Sequence, residues 1–226
     1  MAQPQPNANP RGKTRKTPNK TRFILLIATL ALGVGMLLLS SLNQDEEEPT
    51  TPEEIKAAIL EHRKEQNENY RTSEDSPIPP KERNTFGKLA YYPVDLSFRV
   101  QAQLVQHEKA GQPAAIKNGE GLRVAGKLKF ELKGKSHTLL AYNYEGASEE
   151  ELFVPFIDAT AGDETYGGGR YLNLKAKEDG SVTLDFNYAY NPSCAYNADY
   201  ICPKPPDENH LMLAIEAGEK NYPLAP

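Results

Sequence analysis

The residues with the most chemical potential crowd into two stretches of the C-terminal half. Pro155 to Leu172 reads PFIDATAGDETYGGGRYL, a polar, glycine-rich segment carrying Asp158, Asp163, Glu164, Tyr166 and Arg170. Asp185 to Asn197 follows as DFNYAYNPSCAYN, with Asp185, Asn187 and Cys194, and Cys202 lies shortly beyond. Bare backbone N–H groups at Gly167, Gly168 and Gly169, beside the planar fork of Arg170, suit an anion or a carboxylate ligand. Asp158, Glu164 and Asp185 could divide general-acid and general-base roles if their environments split their pKa values, and clustered oxygens suit calcium. Tyr166, Tyr171, Tyr188, Tyr190, Tyr196 and Tyr200 could line a sugar- or peptide-binding face.

Each chemistry has a plainer structural counterpart. Glycines supply positive φ in tight turns, and Arg170 can pair with a local acid such as Asp158 or Glu164. Loop acids in an acidic domain are commonly solvated, and half-buried tyrosines serve as core. The glycine run is not a P-loop, because no Gly-Lys-Ser/Thr follows and the next residues read as a strand. His62, His107, His137 and His210 are scattered without metal spacing, and no G-x-S-x-G elbow surrounds Ser193. No metal or cofactor is therefore implied.

Those segments are positioned by a chain that changes period partway along. Thr51-Pro52-Glu53-Glu54 has the form of a capping box with proline in the first turn, and predicts a helix over 52–70 with Ile55, Ile59 and Tyr70 as a thin apolar stripe. So thin a stripe suits a helix lying on the surface of a domain, and Ser76-Pro77-Ile78-Pro79-Pro80 ends it. From Phe86 the period is two. Strands are expected at Val94–Leu104, Leu122–Leu132, Thr138–Tyr144, Leu152–Ile157, Tyr171–Ala176, Val182–Tyr188 and Leu211–Ala217. Leu128, Phe130 and Leu132 face one way with Lys127, Lys129, Glu131 and Lys133 opposite, which belongs to antiparallel sheets with a solvated face. Hairpin turns are expected at Lys133-Gly134-Lys135 and Glu178-Asp179-Gly180. The fold class is mainly β: an antiparallel sandwich or open barrel with an N-terminal surface helix, preceded by one transmembrane helix.

That last element comes from charge. The net charge of −5 hides a split. Residues 1–22 hold six Lys or Arg and no acid, whereas everything from residue 43 onward holds twenty against 31 Asp and Glu, a net −11. Between them Phe23–Leu42 runs for 20 residues without a charge. A helix of that length spans roughly 30 Å, the thickness of a bilayer's hydrocarbon core. Basic flanks stay cytoplasmic, so the expected order is a disordered basic cytoplasmic tail (1–22), a single-pass anchor (23–42), an acidic linker (43–51) and an extracytoplasmic domain (52–226). The apolar run is too long for a cleaved signal peptide, and no A-x-A-like site follows. The membrane explains the basic cluster without a nucleic-acid partner. In an extracytoplasmic compartment, Cys194 and Cys202 form a disulfide candidate.

Several of these segments, taken together, identify the chain as similar to a bacterial family, domain of unknown function 1684. The resemblance rests on Tyr91-Tyr92-Pro93-Val94-Asp95, Glu164 to Leu172 (ETYGGGRYL), LDFNYAYNPSCAYN, Cys202-Pro203 with Pro205-Pro206, and Ala217-Gly218-Glu219-Lys220. It covers roughly Phe86 to Tyr222 and departs from the family pattern at Ser193, where a second proline is usual, and at His210, where arginine is. The family has no assigned activity, so the resemblance implies a fold unit and no catalytic residues. The reading favoured from sequence is an envelope-anchored module binding an unknown small molecule or envelope partner around Arg170, Glu164, Tyr166, Asp185, Asn187 and Asp158. A carboxylate-dependent hydrolase, or a docking domain in a membrane complex, are the alternatives.

Overall fold

The computed structural model describes residues 49–222, and the basic tail, the expected anchor Phe23–Leu42 and most of the acidic linker lie outside them. Among the described residues no helix is long and apolar enough to cross a membrane.

Helix α1 (Pro52–Thr72) starts where its capping box places it: the Thr51 side chain accepts from the Glu54 N–H, and the Glu54 carboxylate accepts from the Thr51 N–H. Its buried face consists of Ile59 and Arg63. Arg63 donates to Tyr92 O at 2.8 Å and to Asn187 O at 3.3 Å, while Asn67 Oδ1 accepts from the Leu89 N–H at 2.7 Å. A helix with so little apolar surface is therefore held to the domain largely by polar side chains reaching backbone groups.

The β strands are β1 (Arg99–Val105), β2 (Leu122–Leu132), β3 (Lys135–Tyr144), β4 (Glu151–Phe156), β5 (Arg170–Lys175) and β6 (Ser181–Asp185). They make one antiparallel sheet in the order β5-β4-β3-β2-β1-β6, not the two sheets of a sandwich. The two edges, β5 and β6, are consecutive in sequence and meet at Ala176↔Val182, next to the expected turn, where Gly180 takes φ +79°. Toward their other ends they are not paired with each other, and Tyr171 of β5 bridges instead to Tyr190, beyond the end of β6. The sheet is thus a half-barrel, closed at the β5–β6 hairpin and open where Arg170 and Asp185 stand. The β2–β3 hairpin turns on Lys133 and Gly134, both at positive φ, the two-residue geometry that matches strand twist.

Two apolar clusters lie on opposite faces of this sheet. Leu128, Phe130, Leu139, Val154, Phe156, Leu172, Leu184 and Phe186 fill the barrel interior. Leu122, Val124, Tyr142, Phe153 and Tyr171 pack on the outside, under the loop that carries Ala114 and Ile116. Strand β2 serves both because a bulge lies between Val124 and Gly126, where the register shifts from Val124↔Tyr142 to Gly126↔Ala141. One extra residue exchanges the faces, so an unbroken alternation from Leu122 to Leu132 supplies two different layers.

Three expectations need correction. Leu211–Ala217 is not a strand, although Leu211, Ile215 and Ala217 are buried in alternation. It crosses the open end of the half-barrel as an extended segment and leaves its carbonyls for a side chain described below. Val94–Phe98 and Phe186–Tyr188 are likewise not strand. Asp95 and Asp185 cap 3₁₀ turns at Leu96–Phe98 and Phe186–Tyr188, each accepting from the N–H two residues on, which stops the extended backbone.

Strands β3 and β4 pair at only one position, Tyr142↔Phe153, and the gap beside it is filled by a side chain. Asn209, fully buried, accepts from the Leu140 N–H at 2.6 Å and donates to Leu140 O and Pro155 O at 2.9 and 2.7 Å. Replacing it with alanine strands three buried main-chain groups. Asn209→Ala is expected to destabilise the domain by about 3 kcal/mol, lowering the melting temperature by roughly 6–12 °C in a calorimetric scan.

Candidate functional site

The glycine run and Arg170 lie at the open end of the half-barrel. Gly169 takes φ +91°, and a Cβ there would stand 2.5 Å from Phe156 O and 2.8 Å from Pro205, so this glycine is required by conformation and by close approach. The turn it makes sends Arg170 inward. The guanidinium is fully buried: Nη2 donates to Asp158 Oδ1 at 3.0 Å and Ile215 O at 2.9 Å, and Nη1 to Ala217 O at 2.5 Å and Glu219 O at 3.2 Å. Burial lowers the Arg170 pKa and Asp158 pulls it back up. The second Asp158 oxygen accepts from the Thr160 N–H, the Thr160 hydroxyl and the Ile215 N–H. Arg170 and Asp158 together bind the C-terminal segment across the mouth of the barrel and are closed to an outside ligand.

Asp185 and Asn187 occupy a second buried cluster. Asp185 Oδ1 accepts from the N–H and the amide of Asn187, and Oδ2 pairs with Arg99 at 3.1 Å. Asn187 returns the contact to the Tyr91–Asp95 segment, accepting from the Asp95 N–H and donating to Asp95 O. Glu164 stands on the surface, where Lys220 holds its carboxyl below the usual range at 2.8 Å. Tyr166 donates to Cys194 Sγ at 3.7 Å. The six residues picked from sequence are therefore divided among an internal pair, a turn cap, a surface ion pair and a thiol contact, and do not converge on one pocket.

Sequence reasoning missed Glu219. Its backbone bridges Tyr91, and its carboxyl is fully buried, with Oε2 accepting from the Asn191 N–H at 3.0 Å and Oε1 from the Tyr196 hydroxyl. Burial raises this carboxyl to about pH 7, against the lowering contributions of Tyr196, Asn191 and Arg170. It forms the floor of a narrow cleft under α1 with His62, Tyr70, Tyr91, Tyr188 and Tyr190. The available sign was a Glu beside Gly218, which takes φ +78° and where a Cβ would stand 2.7 Å from Phe186 O and Ala189 O, so only glycine fits the turn that buries Glu219.

A different part of the sheet is open to solvent. On the outer face a row of rings runs from Tyr190 to Tyr171 (5.8 Å between centroids), to Phe153 (4.8 Å) and to Tyr144 (5.3 Å). The first three are largely covered, whereas Tyr144 is 49% exposed. It borders a cleft of about 500 Å³ lined also by Phe153, Asn173, Glu151, Leu174 and Lys175. Cross-strand pairing sets the polar rim, with Phe153 opposite Asn173 and Glu151 opposite Lys175. The Asn173 amide is oriented by the Tyr190 hydroxyl, which donates to its Oδ1 at 3.2 Å. Cys202 packs against the same aromatic layer. Cys194 and Cys202 are neighbouring free thiols in this structure, not a bridge.

This geometry defines a small half-barrel domain whose open end is sealed by a buried Arg–Asp pair and whose aromatic cleft lies on the outside of the sheet. The chain belongs to the family described as protein of unknown function (DUF1684), which matches residues 84–220. A solved relative has the same fold: the solution NMR structure of the uncharacterized protein from gene locus rrnAC0354 of Haloarcula marismortui is 36% identical. The match covers 74% of this chain and 95% of that one, with a TM-score of 0.60. No curated protein matches the chain.

Two expectations follow from the buried groups. Arg170→Ala leaves Asp158 and three carbonyls without their donor and is expected to lower stability by about 3–5 kcal/mol. Arg170→Lys keeps the charge but not the fork, and should recover only part of that loss in a denaturant titration. Glu219 has a folded pKa raised from 4.5 to about 7, so the folded state holds the proton more tightly than the unfolded chain. Its favourable contribution is complete below pH 4.5 and is lost as pH rises towards 7, a swing on the order of 3 kcal/mol. Glu219→Gln should flatten the fall in melting temperature between pH 5 and 8.

Proposed function

We propose that this protein is a single-pass, membrane-anchored binding module whose half-barrel domain lies outside the cytoplasm and takes a carbohydrate in the cleft at Tyr144. The observation that carries the ligand reading is the half-exposed Tyr144 ring, packed at a tilt against Phe153 beside Asn173, Glu151 and Lys175. An aromatic floor suits the apolar face of a sugar ring, and a few placed amide and charged groups at the rim suit its hydroxyls. Asp158 and Asp185 spend their oxygens on internal partners, which argues against the carboxylate-hydrolase alternative. The anchor reading rests on the uncharged run Phe23–Leu42 between a basic tail and an acidic domain.

The ligand reading is tested by titrating the full-length protein in detergent with N-acetylglucosamine oligomers and following amide resonances. Shifts are expected at Tyr144, Asn173 and Lys175, and Tyr144→Ala should weaken binding about tenfold or more, equivalent to about 1.4 kcal/mol, with an unchanged melting temperature. No shift at those residues with millimolar oligosaccharide would refute it. For topology, protease added to intact spheroplasts should digest residues 84–226 and spare the basic tail. A protected β domain would reverse the orientation.

A further inference from the structure

We propose that Cys194 and Cys202 are a reversible dithiol–disulfide pair, and that closing it fastens the loop behind the aromatic cleft. The sequence places two cysteines eight positions apart, but the structure adds that the reduced state is itself a finished arrangement. The Cys194 N–H donates to Cys202 Sγ at 3.2 Å, which brings the second sulfur against the first residue, and Cys194 Sγ accepts from the Tyr166 hydroxyl at 3.7 Å. Each thiol has its own hydrogen-bond partner and both are partly exposed, so the fold accommodates them unbonded and leaves them reachable by a reagent. A bridge that served only as a structural staple would have no need of a packed reduced form.

The ends of the loop are tied to the body of the domain and its tip is not. Behind Cys202, Asn118 Nδ2 donates to Cys202 O at 3.0 Å, Lys204 N–H to Lys117 O at 2.9 Å, and the Tyr171 hydroxyl to Pro203 O at 2.5 Å. The turn at Pro192–Ala195 leads, just after Cys194 and inside the loop, into Tyr196, which is buried against Tyr70 and Glu219. Between them Tyr200 and Ile201 stand out, Ile201 at 81% exposure. Burial raises the Cys202 thiol to about pH 11, so at neutral pH it is protonated and the pair closes through exchange with a disulfide donor. One cysteine, as its thiolate, attacks the donor disulfide and expels one donor thiolate. The other cysteine loses its proton and attacks the mixed disulfide, expelling the second. The two cysteines together give up two protons and two electrons, and the donor becomes two thiols. Tyr171 carries the effect to the cleft, because its hydroxyl holds Pro203 while its ring packs edge-on against Phe153. This coupling rests on the carbohydrate reading of Tyr144, whereas closure of the pair does not.

The full-length protein, reduced and purified in detergent, is treated with oxidised glutathione, quenched by alkylation and weighed intact. The expected product has lost the mass of two hydrogens, carries no alkyl group, yields a Cys194–Cys202 crosslinked peptide and reverts with dithiothreitol. Cys194→Ser and Cys202→Ser should each stop at a glutathione adduct. Two alkylated thiols, or adducts in the wild type that never resolve, would overturn the proposal. In the closed form, hydrogen exchange over residues 194–204 should slow, and affinity for N-acetylglucosamine oligomers should rise roughly threefold or more through preorganisation. Closure with unchanged affinity would overturn the coupling. Closure with no sugar binding in either form would refute the carbohydrate reading and leave the redox pair standing.

Discussion

An antiparallel sheet of six strands that curls but does not close leaves one end of its core without a wall, and the fold depends on how that end is sealed. Here a guanidinium does it. Arg170 begins β5, points into the opening and gathers the carbonyls of Ile215, Ala217 and Glu219, with Asp158 neutralising its charge. A buried cation is tolerable only when its charge is matched and its donors are taken up, and four of the five N–H groups here are. The segment thereby drawn across the opening delivers Ile215 and Ala217 to the interior core. It also places Glu219 under α1, so the seal of the barrel and the seat of the helix are continuous.

The other buried polar groups extend the same logic outward. Asp185 and Asn187 end β6 by capping a 3₁₀ turn, and the turn's carbonyl at Asn187 then receives Arg63 from the helix. Asn209 stands in for a missing stretch of β3–β4 ladder. In each case a polar side chain supplies hydrogen bonds that regular secondary structure would otherwise have made. The sequence segments with the strongest appearance of an active site are thus largely internal fittings of an irregular closure. The open aromatic cleft at Tyr144 lies instead on a face built from ordinary strand residues.

Much of the local structure was legible in the sequence. The capping box at Thr51–Glu54, the full extent of β2 and both hairpin turns depend on neighbours within a few residues, where propensity and spacing decide the outcome. The pairing of Arg170 with Asp158 was legible too, as the structural alternative to a ligand site. Leu211–Ala217 misled because alternate burial arises whenever an extended chain lies between a core and solvent, with or without a strand partner. The exchange of faces at the β2 bulge left no trace in the pattern, because the apolar residues keep their parity through it. Glu219, Asn209 and Tyr144 were invisible for a common reason: their roles are defined by residues 23 to 128 positions away or by a neighbouring strand, and sequence spacing carries no such distance.

The same long-range closure sets an order on folding. All six strands are complete by Asp185, yet the contacts that finish the barrel run from Leu140 to Asn209, from Arg170 to Ala217 and from Tyr91 to Glu219. A chain still being synthesised can form its hairpins but has nothing to cover the open end until residues 209–219 have emerged. Contacts of such high sequence separation are slow to form, and a nascent domain that lacks them presents an uncovered apolar interior. The protein is therefore one whose commitment to the native state waits on that closing segment. A ribosome stalled before Asn209 would leave not a weakened domain but an unfinished one.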